Sequence, residues 1–473
     1  MPLLNTFSGS SWAGNRAESG YTYYLADCSQ NAIEDCYYRG KIGATEADPN
    51  AGVFVKYVEG GDTIVLPAGS GTWGNISRGN GGRMWFILPI TIKGQGDTTI
   101  ISIDNSGYTY TQGVINLWSQ VKFADMKIIG APSRPVTPFT FAAYDATYGR
   151  GARITNVTYE GGGGSSYFLY GNAGSYGLID NCRFTGATGN TELIFTRGST
   201  NAWQVNNTLG TSDNIFIEDC TFNGSGYVSD ANSNAKMVVR FCTINGGIKV
   251  DGHGVASNTP ARSVRNMEVY NNTWTTTGLS IEMRGGVCRV FNNTAVNSLN
   301  LFFLTDYGYI GGPWPNFGNV YQTPYNYPVT DQIGVGKDPK VAGSEPTYVW
   351  GNRITGNNPW PRTLKQVPSG AIELYRTQIG DPTATYTEKA CIQANRDFYA
   401  DTGFDSDGTG VSIGTRAEMD AYTPAINKYG WWVTDEGSWN QTSGGSQGRL
   451  YTWSGSAWVL DYTPYTYPHP LRG

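Results

Sequence analysis

Two stretches of this chain place reactive side chains at strand spacing. Ile248-Lys249-Val250-Asp251-Gly252-His253 and Leu279-Ser280-Ile281-Glu282-Met283-Arg284 each alternate an apolar residue with a polar, charged or small one. A period of two marks a strand with one side buried and the other facing out. If the two strands lie parallel with their apolar residues aligned, Asp251 falls beside Glu282, and His253 beside Arg284. Stacked parallel strands are about 4.8 Å apart, which brings two such carboxyls near the separation of about 5 to 5.5 Å used in retaining glycoside hydrolysis. The same pair could hold a Ca2+ ion with water and carbonyl oxygens. Over such an ion, Lys249, Arg262, His253 or Arg284 is a candidate to take the α-proton of a uronate in an elimination. Glu373, in Ile372-Glu373-Leu374-Tyr375-Arg376, repeats the phrase and would join the same column. The structural alternative is an exposed ion-pair ladder of Asp251, Glu282 and Arg284. His253, set between glycines, reads equally well as a turn residue.

The elements that must position these groups are visible as a recurring phrase. Ile179-Asp180-Asn181-Cys182-Arg183-Phe184 returns as Ile217-Glu218-Asp219-Cys220-Thr221-Phe222 and as Val239-Arg240-Phe241-Cys242-Thr243-Ile244. It returns again as Val269-Tyr270-Asn271-Asn272-Thr273-Trp274 and Val290-Phe291-Asn292-Asn293-Thr294-Ala295, and more weakly as Val349-Trp350-Gly351-Asn352-Arg353-Ile354. Recurrence every 21 to 38 residues before a longer last gap marks a solenoid whose rungs differ in loop length. The spacing predicts that Ile179, Ile217, Val239, Val269 and Val290 stack inside it. Cys182, Cys220 and Cys242 share one place in the repeat, so they should be buried, reduced thiols one rung apart. The repeat asparagines suit a left-handed corner, and the amides of Asn181, Asn272 and Asn293 are expected to bond from rung to rung. Cys28 and Cys36 could pair across a loop, and sequence leaves that open.

Upstream, Gly60-Gly61-Asp62-Thr63-Ile64-Val65-Leu66-Pro67-Ala68-Gly69 is followed by Ile90-Thr91-Ile92-Lys93-Gly94-Gln95-Gly96 and Thr99-Ile100-Ile101. This run resembles the opening rungs of the pectin-lyase-like superfamily. The resemblance spans roughly residues 50 to 400 and implies an all-β, right-handed parallel β-helix. That superfamily includes polysaccharide lyases, some glycoside hydrolases, carbohydrate epimerases and bacteriophage tailspikes. The resemblance therefore specifies the fold far better than the chemistry.

Around the solenoid we expect an N-terminal cap or attachment segment over residues 1–50, the β-helix over 51–410, and a Trp-rich C-terminal β module over 411–473. That module ends in an extended Pro/Tyr tail. An aromatic, proline-rich insertion at about 305–345 interrupts the rungs. Tyr307 and Trp314 within it could wall a groove beside the carboxyl column, because long insertions in compact repeats tend to carry function.

Composition narrows the function classes. With 33 Lys+Arg against 38 Asp+Glu, the net charge is −5, and there is no basic tail; nucleic acid is not an expected partner. No apolar run is long enough to cross a membrane as a helix, and no secretory leader is visible at the start. Fourteen Trp and 31 Tyr suit rung packing and equally suit stacking on sugar rings. Two readings result. In the first, the chain is an extracellular or virion-associated component, such as a phage tail fibre, spike or decoration protein. It would bind a polysaccharide or cell-surface glycan, form a homotrimer and meet other virion proteins. In the second, it is a polysaccharide lyase or glycoside hydrolase, with Asp251, Glu282, Arg284 and His253 catalytic. Lys249, Arg262, Trp314, Tyr307 and Glu373 would then hold substrate. No cofactor beyond the Ca2+ ion is implied.

Overall fold

The computed structural model describes residues 20–43, 52–74, 83–104, 113–118, 120–130, 137–141, 151–161, 167–171, 176–187, 192–197, 206–253, 263–275, 281–296, 301–303, 331, 333–337, 341, 343–354, 365–366, 394–401 and 410–473. Threonine- and Val/Ile-rich segments form short strands, and nearly all of them pair in parallel with the strand one rung before and after. Each complete rung contributes to three ladders. The first runs through Gly177–Asp180, Ile215–Glu218, Lys236–Arg240, Asn266–Tyr270, Val287–Phe291 and Thr347–Trp350. The second begins just past a corner, at Arg183–Ala187 and at the starts of Thr221–Asn232 and Thr243–Gly252. The third comprises Leu169–Gly171, Glu192–Arg197, the ends of Thr221–Asn232 and Thr243–Gly252, and Ile281–Met283. This is a parallel β-helix.

The predicted stack is present. Ile179, Ile217, Val239, Val269 and Val290 are paired in register, and all are fully buried. Each such side chain contributes about 1.5–3 kcal/mol by leaving water.

The corner between the first and second ladders requires a left-handed residue. Asn181, Asp219, Asn271 and Asn292 hold φ between 51° and 55° there, a conformation short polar side chains tolerate. Phe241 takes the same place at φ 55°. One residue further on, the amides form a ladder. Asn272 Nδ2 donates to Asn293 Oδ1 at 3.0 Å, and Asn293 Nδ2 to Asn352 Oδ1 at 2.8 Å. Asn181 is not part of it: it sits on the corner itself, with its amide on Asp180 Oδ2 at 3.0 Å. The ladder position of the earlier rungs belongs to cysteine. Asn272 Nδ2 donates to the Val239 carbonyl at 2.9 Å, and Cys242 Sγ reaches the Ile217 carbonyl in the same way at 3.6 Å. Cys182, Cys220 and Cys242 are buried free thiols, as are Cys28 and Cys36, which do not pair.

The stack begins before residue 51. Thr22–Tyr24 pairs in parallel with Thr63–Val65, and the helix Gln30–Arg39 packs Ala32, Ile33 and Cys36 into the same core. Ser29 caps that helix and Gly40 ends it at φ 65°. After residue 410 a four-stranded sheet, Val411–Gly414, Gly430–Val433, Arg449–Trp453 and Trp458–Tyr462, follows the solenoid. Its short helix, Arg416–Asp420, starts at Thr415 with a full capping box to Glu418.

This module and the tail behind it cover the outer side of the first ladder. Tyr270, Phe291 and Trp350 stack there at 4.5 and 4.4 Å between centroids, under Trp432 and Tyr462. The tail then runs back across successive rungs. Asp461 meets Arg289 at 2.7 Å, Arg240 donates to the Tyr465 and Thr466 carbonyls at 2.7 and 2.9 Å, and Arg472 meets Glu218 at 2.7 Å. Arg153, paired with Asp180 at 2.8 Å, reaches the Arg472 carbonyl at 2.9 Å. Tyr467 stacks on Phe241 at 3.8 Å.

Candidate functional site

The third ladder assembles a row of carboxyls. Its register pairs Asp251 with Glu282, as the alternation predicts, and also pairs Asp230 with Asp251 and Phe195 with Asp230. Glu192 opens the strand that carries Phe195, and Tyr227, opposite it, faces Lys249 on the next rung. Four consecutive rungs thus bring Glu192, Asp230, Asp251 and Glu282 to one strip. An irregularity between Tyr227 and Ser229 shifts the register here and keeps both Tyr227 and Asp230 on the strip.

The expectation of an exposed ion-pair ladder is corrected. Asp251 is 0%, Asp230 6% and Glu282 7% exposed. They point away from the solenoid core, yet they are buried, and two cations fold onto Asp251 and Glu282. Lys249 Nζ pairs with Glu282 Oε2, and Arg284 Nη2 with Asp251 Oδ2. Arg284 Nε lies 3.3 Å from Asp251 Oδ1 and 3.7 Å from Glu282 Oε1. Lys249 also sits over the Tyr227 ring, 4.3 Å from its centroid. Burial works against the charge on Lys249, but Asp251 and Glu282 outweigh it and hold the amine protonated.

Glu192 and Asp230 are placed differently. Their carboxyls are in hydrogen-bonding contact with each other, and among the described residues Glu192 Oε2 and Asp230 Oδ1 have no donor from any other group. Two carboxyls in contact are stable only if one keeps a proton. Burial, reinforced by the charges of Asp230 and Asp251, pushes Glu192 up to about 8. Burial also raises Asp230 and Asp251, against the opposing pull of Arg284 on both. Tyr167 donates its hydroxyl to Glu192, and its own ionisation is pushed up by burial and by that carboxyl. Glu192, raised the furthest, thus sits beside carboxyls that Arg284 pulls back toward the ionised form, an asymmetry of the kind acid–base chemistry on a neutral bond uses.

Of the other sequence-derived candidates, His253 directly follows the strand, with its N–H on the Ala231 carbonyl at 2.8 Å and its carbonyl accepting from Val264 at 2.9 Å. Arg262, Tyr307, Trp314 and Glu373 lie outside the described residues. Asp251 and Glu282 do not fit a Ca2+ site, since each is turned to its own cation. Among the described residues, no group of three or more His, Cys, Asp or Glu is placed to hold a metal ion.

Glu192 and Asp230 were missed by reading the alternation alone, although a signal for them exists. Counting ten residues on from Cys182, Cys220 and Asn272, and nine from Cys242, gives Glu192, Asp230, Glu282 and Asp251. The recurring phrase thus has a second, acidic beat.

Toward the N-terminus the same strip carries aromatic rings at Phe195 and Tyr170 and again at Trp85, with Asn116 and Thr140, both buried, between them. Successive partners are Trp85, Asn116, Thr140, Tyr170 and Phe195. Tyr170 and Phe195 stack at 5.3 Å, Tyr167 lies 4.8 Å from Phe195, and Trp85 meets Trp118 at 5.9 Å. Compared with known proteins, the chain matched no family model and no curated protein. Among the described residues no helix is long and apolar enough to cross a membrane.

Proposed function

We propose that this chain is a polysaccharide-binding β-helix protein that holds a glycan along the outer strip of its third ladder. The observation that carries this is the continuity of the strip. From Trp85 to Asp251 it spans six rung steps, about 29 Å, and passes from aromatic faces to hydrogen-bonding carboxyls. Aromatic faces stack on sugar rings, and carboxyls accept from their hydroxyls. The resemblance of the early rungs to the pectin-lyase-like superfamily supports the same reading. So does the existence of phage tailspikes and fibres within that superfamily, and we take an extracellular or virion-associated, trimeric glycan receptor as the form it implies.

A second reading, glycoside hydrolysis, is favoured by the Glu192–Asp230 contact. Glu192 would protonate the leaving oxygen, and Asp230 or Asp251 would act as base or nucleophile. Elimination on a uronate is less well supported, because Lys249 and Arg284 are already committed to carboxylates.

The test is retention on a broad array of bacterial surface polysaccharides. Wild-type protein should be retained on at least one, and Trp85→Ala should weaken retention by about tenfold, as expected for a lost stacking face of about 1.5 kcal/mol. Release of reducing ends from the retained glycan would add hydrolysis. Failure to be retained on any glycan, or retention unaffected by Trp85→Ala, contradicts the reading.

A further inference from the structure

The charge balance of the strip bears on which glycan it takes, an inference that rests on the glycan reading. Four carboxyls share the strip with two cations. Glu192 comes from one strand, Asp230 with Tyr227 from the next, Asp251 with Lys249 from the third, and Glu282 with Arg284 from the fourth. Both cations are engaged, Lys249 by Glu282 and Arg284 by Asp251. Glu192 and Asp230 carry the surplus.

That surplus marks a site. Asp230 is more than nine-tenths buried, and among the described residues neither its Oδ1 nor Glu192 Oε2, beside it, has a donor other than the proton the pair shares. Buried acceptors are normally satisfied, and exceptions ask for a missing donor. Glu192 is only partly buried, so a ligand can reach the pair through it. Its neighbour Tyr167 supplies one hydroxyl and no charge.

The chemistry of the missing donor follows. With one proton held between Glu192 and Asp230, an anionic group would still add negative charge to a buried row with no uncommitted cation among these residues. A neutral hydroxyl would satisfy one oxygen. An ammonium offers three donors and the opposite charge, and so can replace the shared proton of the carboxyl pair. We propose that the strip selects a glycan bearing a protonated amine, seated on Glu192 and Asp230, and rejects uronate polymers. Binding then releases a proton from the pair.

The experiment is calorimetric titration of the full-length protein at neutral pH with three pentasaccharides: fully deacetylated glucosamine, N-acetylglucosamine and galacturonate. The first two share a backbone and differ in the amine. The glucosamine pentamer should bind about tenfold or more tightly than its acetylated counterpart, with a binding heat that changes with the buffer's ionisation heat because a proton is released. The galacturonate pentamer should bind weakest. Asp230→Asn should abolish the preference for the amine, bringing the glucosamine and N-acetylglucosamine pentamers to equal affinity. Glu192→Gln, at the more exposed member of the pair, should do the same and provides the test if the Asp230 variant does not fold. Equal binding of the first two overturns the inference and leaves the glycan reading standing. Tighter galacturonate binding, or an amine preference that survives both variants, also overturns it. If none of the three binds, the inference is overturned too, and the array result judges the glycan reading separately.

Discussion

The outer sides of the first and third ladders both bury charge, and they do it in opposite ways. Under the C-terminal tail, the buried charged groups among the described residues each meet a partner, although Arg289 Nε is left without an acceptor. Arg240 is 0% exposed but is held by Glu218, the Tyr270 hydroxyl and two tail carbonyls. On the third ladder the carboxyls outnumber the cations, and among the described residues two carboxyl oxygens have no donor beyond the proton that Glu192 and Asp230 share. Complete pairing of buried charge is what structural roles require. An unpaired surplus is stable only at some expense to folding, and such imbalance tends to mark sites of function. The first face closes the fold, and the third is the face on which we propose that a ligand binds.

The largest effect we expect is on the closed face. Arg240→Ala should remove about 3–5 kcal/mol of unfolding free energy in urea titrations, because Glu218 loses a buried partner and two tail carbonyls lose their donor. A loss below about 1 kcal/mol would mean that the tail is merely resting on the surface, and the contrast between the faces would fail.

His469 sharpens the comparison through pH. Its ring lies against Phe216 at 4.6 Å, and burial, with Arg240, Arg472 and Arg153 nearby, pushes it down to about 3. The folded state therefore keeps it neutral while the unfolded chain takes up a proton below about 6.5. Its contribution is fully present above that value and is lost as pH falls toward 3. By about pH 5 the loss should be about 2 kcal/mol. His469→Asn, which keeps an acceptor for the Leu471 N–H, should flatten the acid side of the stability profile over this range. An unchanged profile would show that the tail is not packed down in solution.

The smallest effect concerns the corner. Phe241 holds a left-handed backbone at a strain of about 1–2 kcal/mol and recovers about 0.5–1.5 kcal/mol by stacking on Tyr467. Phe241→Asn should change the unfolding midpoint little, with a free-energy change within about 1 kcal/mol. A large loss would make this residue a main anchor of the tail.

Much of the fold was legible because a β-helix writes itself as a repeat. Ile179 through Val290 occupy one inward column, and any solenoid must align them. Their cysteine and asparagine neighbours were also legible, although Asn181 was placed one residue wrong, since a corner and a ladder can both use asparagine. The candidate site was half legible. Asp251 and Glu282 sit on plainly alternating strands. Asp230 lies after an irregularity that breaks the alternation, and Glu192 opens a strand whose next two residues, Leu193 and Ile194, are both apolar and buried. Burial of the row was not legible, because alternation tells which way a side chain points and not what covers it. The covering of the first ladder by the tail was equally invisible, since its contacts join residues more than 150 positions apart.

The claim that the third face carries surplus charge is tested most directly by the stability of Glu192→Gln on the alkaline side. The folded-state acid is raised to about 8, so the wild-type protein keeps the proton at low pH and loses stability as pH rises through that value. Glutamine supplies an N–H donor to Asp230 at every pH. At about pH 9 the variant should be more stable than wild type by about 1–3 kcal/mol, and the difference should shrink toward acid pH. A variant less stable than wild type at that pH would mean that the Glu192 carboxylate is structurally paired, and the distinction between the two faces would fall.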